Sequence, residues 1–251
     1  MTKYLAWMTT FPVAALCGDI LWSGIFNSSA TGLGQIKLHH GSGIFMAQDP
    51  RMNIWDLRKN IKTLRILVML KDGTSFWNGQ TMERSELIPQ TSEDLGSGRL
   101  FYHFSLMTNT TNAPNPGFEH QIAFFESHFT ELKYGLLSGA SASEDNTLRW
   151  CVSGTTKWSA DLEAGNWYNF AYDIDFDSQT VGLWASNGSD PLTSVVAGVS
   201  ATTSTNSADW HIGELRLDNG GTNAQAEDWY WSGIFVENAP ITTAIAGPLA
   251  E

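Results

Sequence analysis

Two carboxylates stand in strand-like surroundings, each beside a group able to set its charge. Glu86 sits in RSEL, two residues after Arg84, and Glu126 sits in FFESHF, two residues before His128. Residues two apart share a face of a strand, so each glutamate is read as lying next to that neighbour. A half-buried acid is costly unless it is paired or used. Two carboxylates in different protonation states suit cleavage of a glycosidic bond. One donates a proton to the leaving oxygen, and the other acts as base or nucleophile. Arg84 would hold Glu86 ionised, and a desolvating aromatic setting would raise Glu126 toward its protonated form. Glu126 is then the acid and Glu86 the base or nucleophile, with the reverse assignment open. A structural ion pair at a sheet edge is an equally weighted reading of Arg84 and Glu86.

The stretch Glu119 to Gly135, EHQIAFFESHFTELKYG, is the centre of this reading. Its alternation predicts a strand with Ile122, Phe124, Glu126, His128 and Thr130 on one face. The other face carries Gln121, Ala123, Phe125, Ser127 and Phe129. Candidate substrate-binding groups are His120, Gln121, His128, Lys133 and Tyr134 from this stretch, with Trp77, Arg84 and His211 from elsewhere. His211 lies in ADWHIGEL, apolar enough that a lone histidine is more often a satisfied core residue. His103 in YHFSLM gets the same reading. No HExxH, CxxC, GxSxG, P-loop or GxGxxG pattern occurs, so hydrolysis without metal or cofactor is the expectation.

The elements that must position these groups are strands. The chain has 251 residues, 42% of them hydrophobic and 16% charged, with Gly 23, Trp 11 and Phe 13. That suits one all-β domain with a full core. Tryptophan in such a chain either packs the core or lines a sugar-binding groove, and for most of the eleven the core is favoured. A formal net charge of -12 argues against nucleic acid, anionic membrane surfaces and polyanionic substrates. Two cysteines, Cys17 and Cys151, make no disulfide framework.

Residues 1–18 read as a short secretion signal, and Asn27, Asn109 and Asn187 open glycosylation sequons. Both features predict a secreted protein. Residues 19–238 read as one catalytic domain and 239–251 as a peripheral tail. Asp19 to Asn27 predicts a first strand. Residues 36–70 are atypical, and His39 and His40 within them are set aside. Lys37, Arg51, Arg58, Lys59, Lys62, Arg65 and Lys71 crowd this region, and Asn53 to Leu70 has a basic, helical spacing. Strand grammar resumes at Lys71, with Asp72-Gly73 and Asn78-Gly79 turn signals. Further strands are expected at Arg99–Met107, Leu148–Ser153, Trp167–Phe176, Thr180–Ser186, Asp209–Leu217 and Asp228–Glu237. Ser194–Asn206 reads as a loop with at most a short strand. Two packed antiparallel sheets, a jelly roll or concanavalin-like sandwich, is the economical architecture.

SFWNGQTMERSELIPQT, FYHFSLM, HQIAFFESHFTELKYG, NFAYDIDF, VGLWASNGSDPL, ADWHIGEL and DWYWSGIF follow one another in this order. Together they resemble fungal glycoside hydrolase family 131 over roughly Lys71 to Glu237. The resemblance implies a secreted β-jelly-roll enzyme acting on β-1,3-, β-1,6- and β-1,4-glucans. It also implies a catalytic pair, which falls on Glu86 and Glu126. A β-glucan is then the partner, no nucleic acid or membrane is involved, and a monomer is the default assembly. Two departures stand out: Glu83, where the family pattern tends to be basic, and residues 36–70, which do not resemble it.

Two rivals remain. A jelly-roll polysaccharide lyase would use Arg84 and Gln121 to neutralise a uronate and a histidine or Tyr134 as base. Its basic groove has thin support, because outside the signal and residues 36–71 only Arg84, Arg99, Lys133, Arg149, Lys157 and Arg216 are basic. A lectin-like module would use the same surface without needing either glutamate.

Overall fold

The computed structural model describes residues 17–24, 36–39, 44–46, 66–70, 82–217 and 225–245. Among these the secondary structure is strand, without an α-helix. The strands in chain order are β1 (Ile20–Ser23), β2 (Ile36–His39), β3 (Ile44–Met46), β4 (Ile66–Leu70), β5 (Glu83–Pro89), β6 (Arg99–Thr108), β7 (His120–Phe125) and β8 (Thr130–Tyr134). They continue with β9 (Thr147–Val152), β10 (Thr155–Asp161), β11 (Tyr168–Asp175), β12 (Thr180–Asn187), β13 (Thr193–Ser200), β14 (Trp210–Arg216) and β15 (Glu227–Asn238).

They form the expected all-β sandwich of two antiparallel sheets. One runs β13-β12-β11-β6-β15-β4-β3, with β1 also on β15, and the other runs β10-β9-β8-β7-β14-β5-β2. Leu100, Tyr102, Phe104 and Leu106 of β6 point inward with Trp229 and Trp231 of β15. Across from them stand Ile122 and Phe125 of β7, Trp150 of β9, and Trp210 and Ile212 of β14. Tyr102 meets Trp210 edge-on at 5.0 Å and Phe125 at 5.3 Å. Such pairs add about 0.5–1.5 kcal/mol beyond the area they bury. Trp22, Trp150, Trp210, Trp229 and Trp231 are all core residues, as the plainer reading of the tryptophans held.

β9, β11, β12, β14 and β15 fall within a residue of their expected spans. Three expectations change. The central stretch is a hairpin rather than one strand: β7, a tight turn closed by His128 N–H to Phe125 O at 2.8 Å, and β8. Within it, His211 pairs with Phe124 but Glu214 with Ile122, so three residues of β14 oppose two of β7. The extra residue lies in β14 at Ile212–Gly213, and Ala123 stands opposite it at φ +48°. Ile122, Ala123 and Phe125 therefore all face the core, while Phe124 faces outward.

Second, Ile66–Leu70 is a strand, paired along its whole length with β15, not the end of a helix. The rest of the helix-like stretch, together with residues 1–16, Asn27 and Trp77, lies outside the described residues. Third, β10 was not anticipated, and Thr193–Ser200 is a full strand where a loop was expected. Both close sheet edges, where most side chains are exposed and no apolar alternation marks a strand.

Candidate active site

The seven-stranded sheet brings β5, β14 and β7 side by side. Trp210 and Ile212 face the core, so His211 between them faces outward, and Leu87 inward places Glu86 outward likewise. On that outer face Arg84 forks onto Glu86. Its Nε donates to Oε1 at 3.1 Å and Oε2 at 3.0 Å, and its Nη2 donates to Oε2 at 2.9 Å. A guanidinium only donates, so both oxygens of Glu86 are acceptors here. The same Oε2 lies 2.7 Å from His211 Nδ1. The other ring nitrogen, Nε2, lies 2.9 Å from Glu126 Oε1, and Arg84 Nη2 stands 3.6 Å from that oxygen.

The result is an unbroken chain, Arg84–Glu86–His211–Glu126. Phe124 stiffens it, stacking on His211 with centroids 4.7 Å apart and planes 5° apart, with the Arg84 guanidinium over the ring at 5.8 Å. On its other contact Phe124 stacks with His128 at 5.2 Å and 4°. Burial is the reverse of what the sequence suggested. The Glu86 side chain is 0% exposed and Glu126 is 55% exposed, because Glu126 rides on the hairpin turn rather than within an apolar strand. Nor is the Arg84–Glu86 pair at a sheet edge, since β5 lies between β14 and β2.

Polar groups continue along the outer face from Glu126. His128 Nδ1 lies 3.0 Å from Glu131 Oε2, a bond that raises the His128 pKa against the opposing effect of burial. Lys133 Nζ donates to Glu119 Oε1 at 2.8 Å, and Gln121 Nε2 donates to the same oxygen at 3.2 Å. Beside Glu126, an open depression of about 480 Å³ is lined by Ser127, His128, Glu131, Lys133, Ser153 and Thr202. Its hydroxyls and charged groups suit a hydroxyl-rich ligand. Phe124, Glu119 and Glu131 were not anticipated as site residues. The alternation in TELKY, which puts Glu131 beside Lys133, was the available signal for the last of these.

His120 and Tyr134 do not join this face. His120 is buried on the inner side of β7, its Nε2 2.7 Å from Glu227 Oε2 and its ring against Trp229. The Tyr134 ring lies in the core and its hydroxyl donates to Asn146 Oδ1 at 3.1 Å. Burial, with Glu227 adding to it, pushes the Tyr134 pKa up to about 12. Glu83 also differs from expectation. It faces inward, opposite in sense to Arg84 and Glu86, and its carboxylate meets Arg216. Arg216 Nη1 also reaches Glu227 Oε1 at 2.7 Å. His103 is satisfied by Glu237 at 2.9 Å, the bland reading it was given. Among the described residues, no group of three or more His, Cys, Asp or Glu is arranged to hold a metal ion.

Comparison with known proteins follows from this geometry. A family profile described as the glycoside hydrolase 131 catalytic N-terminal domain matches residues 46–242, a span that includes part of the atypical segment. The chain is similar to the catalytic domain of a glycoside hydrolase family 131 β-glucanase from Podospora anserina. The TM-score is 0.83 at 46% identity, covering 92% of this chain and 100% of that one. It is also similar to the catalytic domain of a family 131 protein from Coprinopsis cinerea, with TM-score 0.78 and 43% identity, covering 93% and 100%. No protein of curated function matches the sequence.

Proposed function

We propose that this chain, which belongs to glycoside hydrolase family 131, cleaves β-1,3-, β-1,6- and β-1,4-glucosidic bonds with Glu86 and Glu126 as its working pair. Membership makes it a glycoside hydrolase and supports β-glucan as its substrate. The linkage range and the pair are our reading. The observation that carries it is the Arg84–Glu86–His211–Glu126 chain on the outer sheet face. Arg84 Nη2 touches both carboxylates, at 2.9 Å and 3.6 Å. Their facing oxygens are thus no farther apart than roughly 6.5 Å, within the span that paired glycosidase carboxylates use.

The roles follow from the Arg84 hydrogen bonds for Glu86 and from access for Glu126. Glu86, wholly buried and accepting from Arg84, is the base or nucleophile. Glu126, half open to solvent on its turn, is the acid that meets the leaving oxygen. The depression beside Glu126 would then receive sugar on the leaving-group side. Secretion belongs to the same reading, supported by the exposed positions of Asn109 and Asn187. A lyase finds less support, because Tyr134 is turned inward with its pKa pushed up to about 12, and Gln121 is engaged by Glu119.

The test is product analysis on laminarin, a β-1,6-glucan, a β-1,4-glucan and a glucuronan, with Glu86→Gln and Glu126→Gln as controls. Glucose or gluco-oligosaccharides that disappear in both controls are the expected result. An unsaturated product from the glucuronan alone would make the chain a lyase. Glucan binding without turnover by the native chain would make it a lectin.

A further inference from the structure

We propose that His211 is a positioning residue, a two-ended donor that fixes which oxygen of Glu126 carries the acid proton. The inference rests on the hydrolase reading above and deepens it. Both oxygens of Glu86 accept from Arg84, so the His211 nitrogen 2.7 Å from Oε2 is an N–H donor. Arg84 Nη2 lies farther from that nitrogen, at 3.3 Å, and cannot accept from it. The bond made by one ring nitrogen sets the orientation of the other. Nε2 is thereby aimed at Glu126 Oε1 at 2.9 Å.

The ring has little freedom to turn. It is 2% exposed and lies flat on Phe124. The charged groups facing it are Arg84 and Glu86 from β5 and Glu126 from the hairpin turn. His128 lies beyond Phe124, and Glu214 of its own strand is buried. We assign Nε2 as a second donor because Glu126 Oε1 also faces the Arg84 guanidinium, which can only donate and so favours an accepting oxygen there. Glu126 needs such a strut. A half-exposed side chain on a turn has several rotamers, and only one points its proton at the scissile bond.

With Oε1 held by Nε2–H and by Arg84, Oε2 is the oxygen left to carry the proton toward substrate. In the chemical step that proton passes from Oε2 to the glycosidic oxygen. The electron pair of the breaking C1–O bond goes to the same oxygen, and C1 is captured by Glu86 or by a water that gives its proton to Glu86. Glu126 becomes a carboxylate whose new charge faces two donors, and His211 neither gains nor loses a proton. Water restores the proton to Glu126 after the products leave.

The experiment compares His211→Gln, His211→Ala and native protein on two substrates. One is a glucan, whose poor leaving group needs an acid. The other is a dinitrophenyl β-glucoside, whose leaving group does not. Loss of positioning should lower kcat on the glucan about 10–100-fold with KM little changed, and lower it less than about threefold on the activated glucoside. Glu126→Gln should show the same selectivity. In native protein labelled with ¹⁵N-histidine, both His211 nitrogens should carry protons at the pH of activity. Equal losses on both substrates, or one bare nitrogen in the spectrum, would overturn the proposal. A native chain inactive on every glucan would instead sink the hydrolase reading, and the spectrum would still decide the strut.

Discussion

Replacing each glutamate by glutamine should separate catalysis from stability, because the two carboxylates differ in burial. Glu126→Gln removes the proposed proton donor, whose side chain is 55% exposed. General acid catalysis contributes about 10²–10⁴-fold, or about 3–5 kcal/mol of barrier, so kcat/KM on glucan should fall by that factor. Exposed substitutions change stability by about 0.5 kcal/mol or less, which in a domain of this size moves Tm by less than about 2 °C. Glu86→Gln acts on a carboxyl that is 0% exposed and accepts three Arg84 contacts and one from His211. The amide turns one acceptor into a donor facing donors. Breaking a buried pair costs about 3–5 kcal/mol, a Tm drop of about 6–20 °C. The assay is thermal unfolding beside initial rates on laminarin for the three proteins. A Glu126→Gln protein with native Tm and native rate would refute the assignment of the acid. A Glu86→Gln protein with native Tm would refute the argument that Arg84 and His211 hold Glu86 as a buried ionic clamp.

Two further outcomes test the framework behind the site. Burial raises the Glu227 pKa, but the charge and bond of His120, with Arg216, pull it from 4.5 down to about 2. A depressed folded value adds stability that is complete above the unfolded value and is lost as pH falls through the folded one. This group should therefore contribute about 3 kcal/mol that disappears between pH 4.5 and 2. Urea midpoints across that range should fall less steeply in Glu227→Gln than in native protein, and equal slopes would contradict the assignment. Gly213→Ala places a Cβ 2.2 Å from Ser85 O and 2.8 Å from Glu86 Cα at φ +150°. It should cost about 2–5 kcal/mol and reduce glucan turnover by displacing Glu86, which circular-dichroism melts and rates together would check.

The sequence displayed the pair but not its geometry. RSEL and FFESHF marked Glu86 and Glu126 as acids among apolar residues, although only Glu86 proves to lie in a strand and Glu126 sits on the hairpin turn. The faces were less legible. A period of two through Glu119–Gly135 grouped Ile122 with Phe124, and a single bulge opposite Ala123 places them on opposite sides. Ala123 carries no turn chemistry, and the available hint lies across the ladder in Gly213, one of the two β14 residues opposite it, at φ +150°. His211 was weighed as a core histidine since its neighbours Trp210 and Ile212 are core residues. It is nearly as buried as they are, but on the other face of the sheet, against two carboxylates. Glu83 departs from the basic family pattern three residues before Glu86, yet it points to the other face of the strand, where Arg216 answers it.

That separation has a consequence for how the outer chain keeps its alignment. Strand β5 reads Glu83, Arg84, Ser85, Glu86, alternating between two charge systems on opposite faces of one sheet. Inward, Arg216 of β14 stands directly opposite both Glu83 of β5 and His120 of β7. Glu227 crosses from the other sheet to bind Arg216 and His120 together. Outward, the same β5–β14 ladder sets Gly213 opposite Glu86 and so brings His211 within reach of it. A slip of one residue would exchange the faces, exposing Glu83 and burying Arg84 among the core aromatics. It would also tear Glu83 from Arg216, and breaking such a buried pair costs about 3–5 kcal/mol. The inner cluster thus opposes the slip that would dismantle the outer chain. Residues that never approach substrate hold the two glutamates in register.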